Sequence, residues 1–164
     1  MIASLSRCRL QLLFWPVILV ALAASVHAAD FTGKVVGVTD GDTLSVLHNG
    51  RGERVRLHGI DCPEKRQAFG QLAKRFTSTL VYGKDVTVTV YGHDKRGRTI
   101  GEVTLLHGSV LNHELVKAGL AWWFRLYAPV DPVLEELEKE AREAKRGLWA
   151  DPHPVPPWEW RQRR

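Results

Sequence analysis

The stretch FTGKVVGVTDGDTLSVLHNGRGERVRL, residues 31 to 57, reads as three short strands separated by two tight turns. Val35, Val36 and Val38 precede Asp40-Gly41, and Leu44, Val46 and Leu47 precede Asn49-Gly50. An Asx-Gly pair flanked by β-formers is a hairpin signal, because both residues tolerate positive φ. Arg54-Val55-Arg56-Leu57 then alternates polar and apolar, as a strand with one buried face should.

Beyond Pro63 the hydrophobic period changes. Phe69, Leu72, Ala73, Phe76 and Leu80 recur at three and four residues, which predicts an amphipathic helix closed by Gly83. The pattern returns to strand over Asp85 to Tyr91 and again over Thr99 to Leu106, around a turn at Asp94 to Arg98. Five strands with an intervening helix predict an α+β, mainly β chain: a partly open, five-stranded Greek-key barrel of the OB type with about three flanking α-helices. The other two helices are a short one from Leu111 to Lys117, closed by Gly119, and a longer one capped by Asp131-Pro132 and ended by Gly147. Leu134, Leu137, Ala141 and Ala144 give that longer helix its apolar stripe. Trp122 and Trp123 are expected to cover the barrel or the last helix.

The 164 residues divide into an expected export signal over 1–28, a single domain over 29–150 and a Pro/Trp/Arg-rich tail over 151–164, read as irregular with its tryptophans available to pack on the barrel. Arg7 and Arg9 precede an apolar run from Leu10 to Ala24, and Val26-His27-Ala28 suits a signal peptidase. The run is short for a membrane span and is interrupted by Pro16, so no stable membrane association is expected after cleavage. Removing the leader takes away Cys8 and leaves Cys62 alone, which excludes an internal disulfide. It also takes two of the 23 basic residues and none of the 18 acids, so the net charge falls from +5 to +3, compatible with a polyanionic partner. The scattered histidines match no zinc-site spacing.

Acids and arginines cluster on this pattern. Asp42 and Asp61 lie at the end of the first turn and just past the third strand, places a β-meander can bring to one rim, where two carboxylates would chelate a hard cation. Alone, Asp40-Gly41-Asp42 is also an ordinary hairpin turn. Glu64 follows Asp61 by three and either faces the same rim to activate a water or completes a helix capping box with Asp61. Arg56, opposite in facing to Val55 and Leu57, is a surface arginine or a phosphate clamp, and Arg98 just past Gly97 has the same two readings.

Taken in order, Asp40-Gly41-Asp42-Thr43-Leu44, Val55-Arg56-Leu57, Gly59-Ile60-Asp61-Cys62-Pro63-Glu64, Asp94 to Arg98 and Val116-Lys117-Ala118-Gly119-Leu120-Ala121 resemble the staphylococcal-nuclease-like (thermonuclease) family over about residues 31 to 150. The resemblance implies an OB barrel that hydrolyses DNA and/or RNA with Ca²⁺ and leaves 3′-phosphate and 5′-hydroxyl ends. It implies that Asp42, Asp61 and the backbone carbonyl of Cys62 ligate Ca²⁺ with Asp40 in support. It further implies that Glu64 holds the attacking water, that Arg56 and Arg98 bind the scissile phosphate, and that Lys95 and Tyr127 touch the nucleotide. An exported monomer, secreted or periplasmic, is the expectation. Three positions and one segment depart from the best-known member: Cys62 replaces a threonine, Arg96 and Arg125 replace tyrosines near the nucleotide, and the segment from Glu64 to Gly70 is shorter than its mobile loop. A non-catalytic OB module that binds nucleic acid is the alternative, and an oligosaccharide-binding OB domain a third that leaves the arginines unexplained.

Overall fold

The computed structural model describes residues 29–163, so the expected export signal and Arg164 lie outside the described residues. Strands β1 (Phe31–Asp40), β2 (Thr43–His48) and β3 (Arg51–Leu57) form the antiparallel meander that the hairpin signals predict. The two turns differ, however. Asn49 and Gly50 both take positive φ, 49° and 73°, as a primed hairpin turn requires. Gly41 does not take positive φ; what it supplies is room, since a Cβ there would sit 2.8 Å from both the Ala73 Cβ and the Cys62 Sγ.

A short strand β4 (Ile60–Asp61) follows, then helix α1 (Gly70–Val81) and the antiparallel pair β5 (Asp85–His93) and β6 (Thr99–Leu105). The barrel is closed, in the order β1-β2-β3-β6-β5, rather than partly open. Closure comes from β1 pairing with β5 between Phe31↔Val88 and Lys34↔Asp85, and from a parallel seam of β3 on β6 at Val55↔Thr99, Arg56↔Ile100 and Leu57↔Gly101. These pairings use the edge hydrogen-bonding groups that an open sheet would leave bare. Inward-facing Val35, Leu44, Val46, Val55, Leu57, Val86, Val88 and Val103 fill the interior, each buried to 2 % exposure or less.

Helix α2 (Leu111–Lys117) packs beside the barrel, and strand β7 (Trp122–Trp123) pairs with β4, which fixes Asp61 opposite Trp122. Helix α3 (Pro132–Glu143) starts as predicted: the Asp131 side chain accepts from Val133 N at 3.1 Å and Leu134 N at 2.9 Å. It ends earlier than Gly147, because Lys145 itself adopts φ 50° and turns the chain into a 3-10 turn over Gly147–Ala150. Trp123 lies in the main core, while Trp122 joins Ala141, Leu148 and Trp149 in a second cluster under α3.

The tail is irregular only as far as Pro156; beyond it a helix replaces the expected irregular end. Helix α4 (Pro157–Gln162) starts on a proline at its first turn, where the missing N–H costs nothing. Trp158 stacks on Phe124 at 5.1 Å between ring centroids and meets Trp122 edge-on at 5.7 Å, so apolar burial holds α4 against β7. No helix among the described residues is long and apolar enough to cross a membrane.

Candidate active site

Three elements bring the acids to one rim. The β1–β2 turn is pinned to α1 by Thr77 Oγ1, which donates to the Gly41 carbonyl at 2.5 Å, and to the end of β3 by Leu57 N, which donates to the Asp42 carbonyl at 2.9 Å. Asp42 is thereby held 1 % exposed beside Asp61, which is fully buried on β4. Arg56, projecting from the outer face of β3, bridges them: Nη1 donates to Asp42 Oδ1 at 2.6 Å and Nη2 to Asp61 Oδ1 at 2.5 Å. The second oxygen of Asp42 accepts from the backbone N–H of Cys62 at 2.6 Å, and the Thr43 hydroxyl donates to the first at 3.2 Å.

The electrostatics follow from burial. Burial, the largest influence on Asp42, pushes its carboxyl above the usual carboxylate value; Arg56 opposes that rise and the neighbouring Asp61 charge adds to it. Burial also works against the charge on Arg56, but Asp42 and Asp61 more than offset it and hold the guanidinium protonated far into the alkaline range. The Cys62 thiol is pushed well up by burial, so it stays a neutral thiol and offers no side-chain anion to a metal.

Glu64 lies beside this pair on a tightly tied loop. Helix α1 begins only at Gly70, six residues further on, so the capping-box reading of Asp61 and Glu64 does not apply. Instead Gln67 organises the loop: its N–H donates to the Glu64 carbonyl at 2.8 Å, its Oε1 accepts from Glu64 N at 3.1 Å, and its Nε2 donates to the Val155 carbonyl at 2.5 Å. Gly70 allows α1 to approach, because a Cβ there would fall 1.9 Å from the Glu64 carbonyl oxygen. Phe69 turns the chain into the helix with φ 65°, a conformation costly for a bulky residue and kept here by the surrounding bonds.

A further arginine reaches the same carboxylates from α4. Arg161 Nη2 donates to Asp61 Oδ2 at 2.8 Å and its Nη1 to Glu64 Oε1 at 2.8 Å, with a longer contact of 3.4 Å to Asp61 Oδ1. Asp42, Arg56, Asp61, Glu64 and Arg161 thus form one continuous ion-pair network.

The remaining sequence-derived residues are placed around it. Asp40 sits at the end of β1, partly exposed and 3.8 Å from the Lys65 amine. Arg98 directly precedes Thr99, which is buried opposite Val55, so strand alternation sets Arg98 on the same outer face as Arg56. Its guanidinium pairs with Asp94 at 2.7 Å rather than with the acid pair. Lys95 is exposed on that turn. Tyr127 is also exposed, tilted against Phe124 at 5.0 Å, and it lines a cavity of about 330 Å³ with His58, Tyr91 and the acids Glu102 and Asp131. That cavity shares no residue with the acid–arginine network. Arg125 lies 3.9 Å above the Trp123 ring and 3.4 Å from the buried Glu138, with 57 % of its side chain still exposed.

Sequence reasoning missed Arg161, Gln67, Thr77 and the close approach at Gly70. Arg161 had a signal, Pro156-Pro157 followed by Trp158, which marks a helix start with an apolar anchor. Thr77 lies among the apolar positions of α1 and is fully buried, but its partner across 36 residues has no local trace.

Among the described residues, no group of three or more His, Cys, Asp or Glu side chains is gathered into a ready metal cage. The metal-ligating atoms at the rim are oxygens only, four of them on the two carboxylates removed from water, and Asp42, Asp61 and Glu64 exceed Arg56 and Arg161 by one negative charge. That donor set fits a hard divalent cation rather than a soft one.

Comparison with known proteins agrees with this geometry. The family model described as Staphylococcal nuclease homologue matches residues 54–151. An "Uncharacterized endonuclease" of Escherichia coli O157:H7 is 45 % identical over 149 residues, covering 91 % of this chain and 97 % of that protein. A "Micrococcal nuclease" of Shigella flexneri is 43 % identical over 155 residues, 87 % of this chain and 88 % of that one. An "Uncharacterized endonuclease" of Haemophilus influenzae is 42 % identical over 132 residues, 80 % and 73 % of the two chains. With an OB-type barrel, an ordered set of acids and arginines on one rim and these relatives, the chain belongs to the staphylococcal nuclease family.

Proposed function

We propose that this chain is an exported, Ca²⁺-dependent phosphodiesterase that cleaves DNA and/or RNA with little sequence preference and leaves 3′-phosphate and 5′-hydroxyl ends. The observation that carries the proposal is the Arg56 bridge between buried Asp42 and Asp61, with Glu64 on the same rim. Asp42, Asp61 and the Cys62 carbonyl would hold the cation, with Asp40 in support. Bound there, Ca²⁺ supplies positive charge against the non-bridging oxygens of the scissile phosphate.

Arg56 cannot lose its proton in this setting, and two carboxylates fix its plane, so it meets the phosphate without reorganising. Arg98, on the same outer face, would bind a second phosphate oxygen and stand by the leaving 5′-oxygen. Glu64 would orient a water in line with that oxygen. The water oxygen bonds to phosphorus as the water gives up a proton on the Glu64 side, the bond from phosphorus to the 5′-oxygen breaks, and the departing alkoxide takes up a proton from solvent, so that one proton passes in net from water to the leaving oxygen. Lys95 and Tyr127 flank the nucleotide.

The leader-like segment before residue 29 supports export, to the periplasm or the medium, where millimolar Ca²⁺ suits a site with few protein ligands. A monomer suffices, since the acids and arginines all come from one chain. Plasmid and single-stranded DNA incubated with Ca²⁺ or with EGTA test the proposal. Cleavage should stop in EGTA, and untreated product ends should resist polymerase extension until the 3′-phosphate is removed. Undiminished cleavage in EGTA, or direct extension, would contradict it.

A further inference from the structure

Arg161 is the one member of the ion-pair network that the proposed reaction does not use. It arrives from α4, 100 residues beyond Asp61, yet both arms of its guanidinium are turned onto the carboxylates of the site. Although 44 % of its side chain is exposed, its partner Asp61 is entirely buried. The two oxygens of Asp61 are divided between two arginines, Oδ1 with Arg56 and Oδ2 with Arg161. Arg161 also holds Glu64, the group that would carry the attacking water.

Charge separates a structural pairing from a competing one. Asp42, Asp61 and Glu64 against Arg56 leave two negative charges, of which Arg161 cancels one; a divalent cation cancels both. A guanidinium and a cation cannot share the lone pairs of Asp61 Oδ2 at hydrogen-bond distance without repelling each other. The helix that carries Arg161 has its own anchors. Trp158 stacks on Phe124 and meets Trp122 edge-on, and Gln67 grips the Val155 carbonyl while holding Glu64 N. Swinging the Arg161 side chain away therefore leaves α4 in place.

We infer that Arg161 is a tethered counter-cation of the metal centre, which competes with Ca²⁺ for Asp61 and Glu64 and so raises the Ca²⁺ concentration at which the nuclease becomes active. The inference rests on the calcium reading above. Arg161 Nη1 occupies Glu64 Oε1 at 2.8 Å, so it must leave before that oxygen can hold water.

Calorimetric titration of the chain with CaCl₂, without nucleic acid, tests it. Arg161→Ala should bind Ca²⁺ roughly tenfold more tightly than the wild type. Arg161→Lys, which keeps the charge and loses the fork, should fall between them. Trp158→Ala, which loosens α4 without touching a carboxylate, should also tighten binding. Arg163→Ala, whose partner Glu159 lies outside the site, should match the wild type. Melting curves identify any variant that fails to fold. If the wild type binds Ca²⁺ and neither Arg161→Ala nor Trp158→Ala binds it more tightly, the exchange is wrong and the calcium reading stands. Unchanged Ca²⁺ affinity with a raised KM for DNA in Arg161→Ala would make Arg161 a phosphate clamp instead. If no variant takes up Ca²⁺, both readings fall together.

Discussion

Replacing Gly70 by alanine separates what a glycine contributes to a helix from what it permits in this site. By propensity alone the change should stabilise, since Ala exceeds Gly by about 1 kcal/mol within a helix and by less in the first turn. The structure opposes this. The new Cβ would stand 1.9 Å from the Glu64 carbonyl oxygen, 2.7 Å from its carbon and 3.0 Å from the Pro63 carbonyl oxygen. All three are backbone atoms, so relief requires the loop and α1 to part by more than about 1 Å. Overpacking of this kind costs roughly 1–3 kcal/mol. The Gln67 N to Glu64 carbonyl bond that would be stretched contributes about 1 kcal/mol more. The net expectation is a loss of about 2 kcal/mol, seen in urea melts as a midpoint lower by about 1 M at an unchanged slope. Displacing Glu64 by about 1 Å should lower kcat by roughly 100-fold. Gly52→Ala is the control: nothing lies within 4 Å of its Cβ position and its φ is ordinary, so it should stay within about 0.5 kcal/mol of the wild type. A Gly70→Ala protein as stable and as active as the wild type would refute the link between α1, the loop and Glu64.

Arg56→Ala should cost about 3 kcal/mol at neutral pH, because it leaves two buried carboxylates without their shared counter-charge. Burial already holds the Asp42 carboxyl above its unfolded value of 3.8, and losing Arg56 removes what opposes that rise, so the deficit should grow as pH rises and shrink toward acid; a gap equally wide at pH 5 and pH 8 in urea melts would contradict this. Asp94 behaves oppositely. Its slight burial favours the neutral form, but the Arg98 and Arg96 N–H groups outweigh that and hold its carboxyl below 3.8. The Asp94 to Arg98 turn should therefore keep its full stabilisation above pH 3.8 and lose it as pH falls through the depressed value, with an NMR titration midpoint for Asp94 below 3.8; a midpoint at or above that value would refute the assignment.

What the sequence made legible was local or periodic. The Asn49-Gly50 hairpin, helix α1 and the Asp131 cap each carry their signal within a few residues and stand where the pattern placed them, although Leu72 of the expected α1 stripe is exposed and Thr77 and Val81 are buried instead. Strand alternation also put Arg56 on the outer face, while Val55 and Leu57 went inward. Barrel closure left no such trace, because the β3–β6 seam joins residues more than 40 positions apart and its parallel sense is decided by the path between them. The same limit hid the site's supports. Thr77 reaches back 36 residues to Gly41, Gln67 forward 88 to Val155, and Arg161 back 100 to Asp61, so each bond exists only once the barrel has brought its ends together. The helix in the tail was missed for a different reason: proline and tryptophan resemble an irregular end by composition, whereas Pro157 at a helix start and Trp158 packed on Phe124 make an anchored helix.

The central claim is that the acids and arginines of this rim form one Ca²⁺-dependent phosphodiesterase centre in which Glu64 holds the attacking water. Its most direct test is the single-turnover cleavage rate of single-stranded DNA by Glu64→Gln at saturating Ca²⁺, a change that keeps shape and removes charge. The account predicts a fall of roughly 100-fold or more, with the fold intact by melting and with DNA still bound. Cleavage within a few-fold of the wild type would place the water elsewhere and contradict the account.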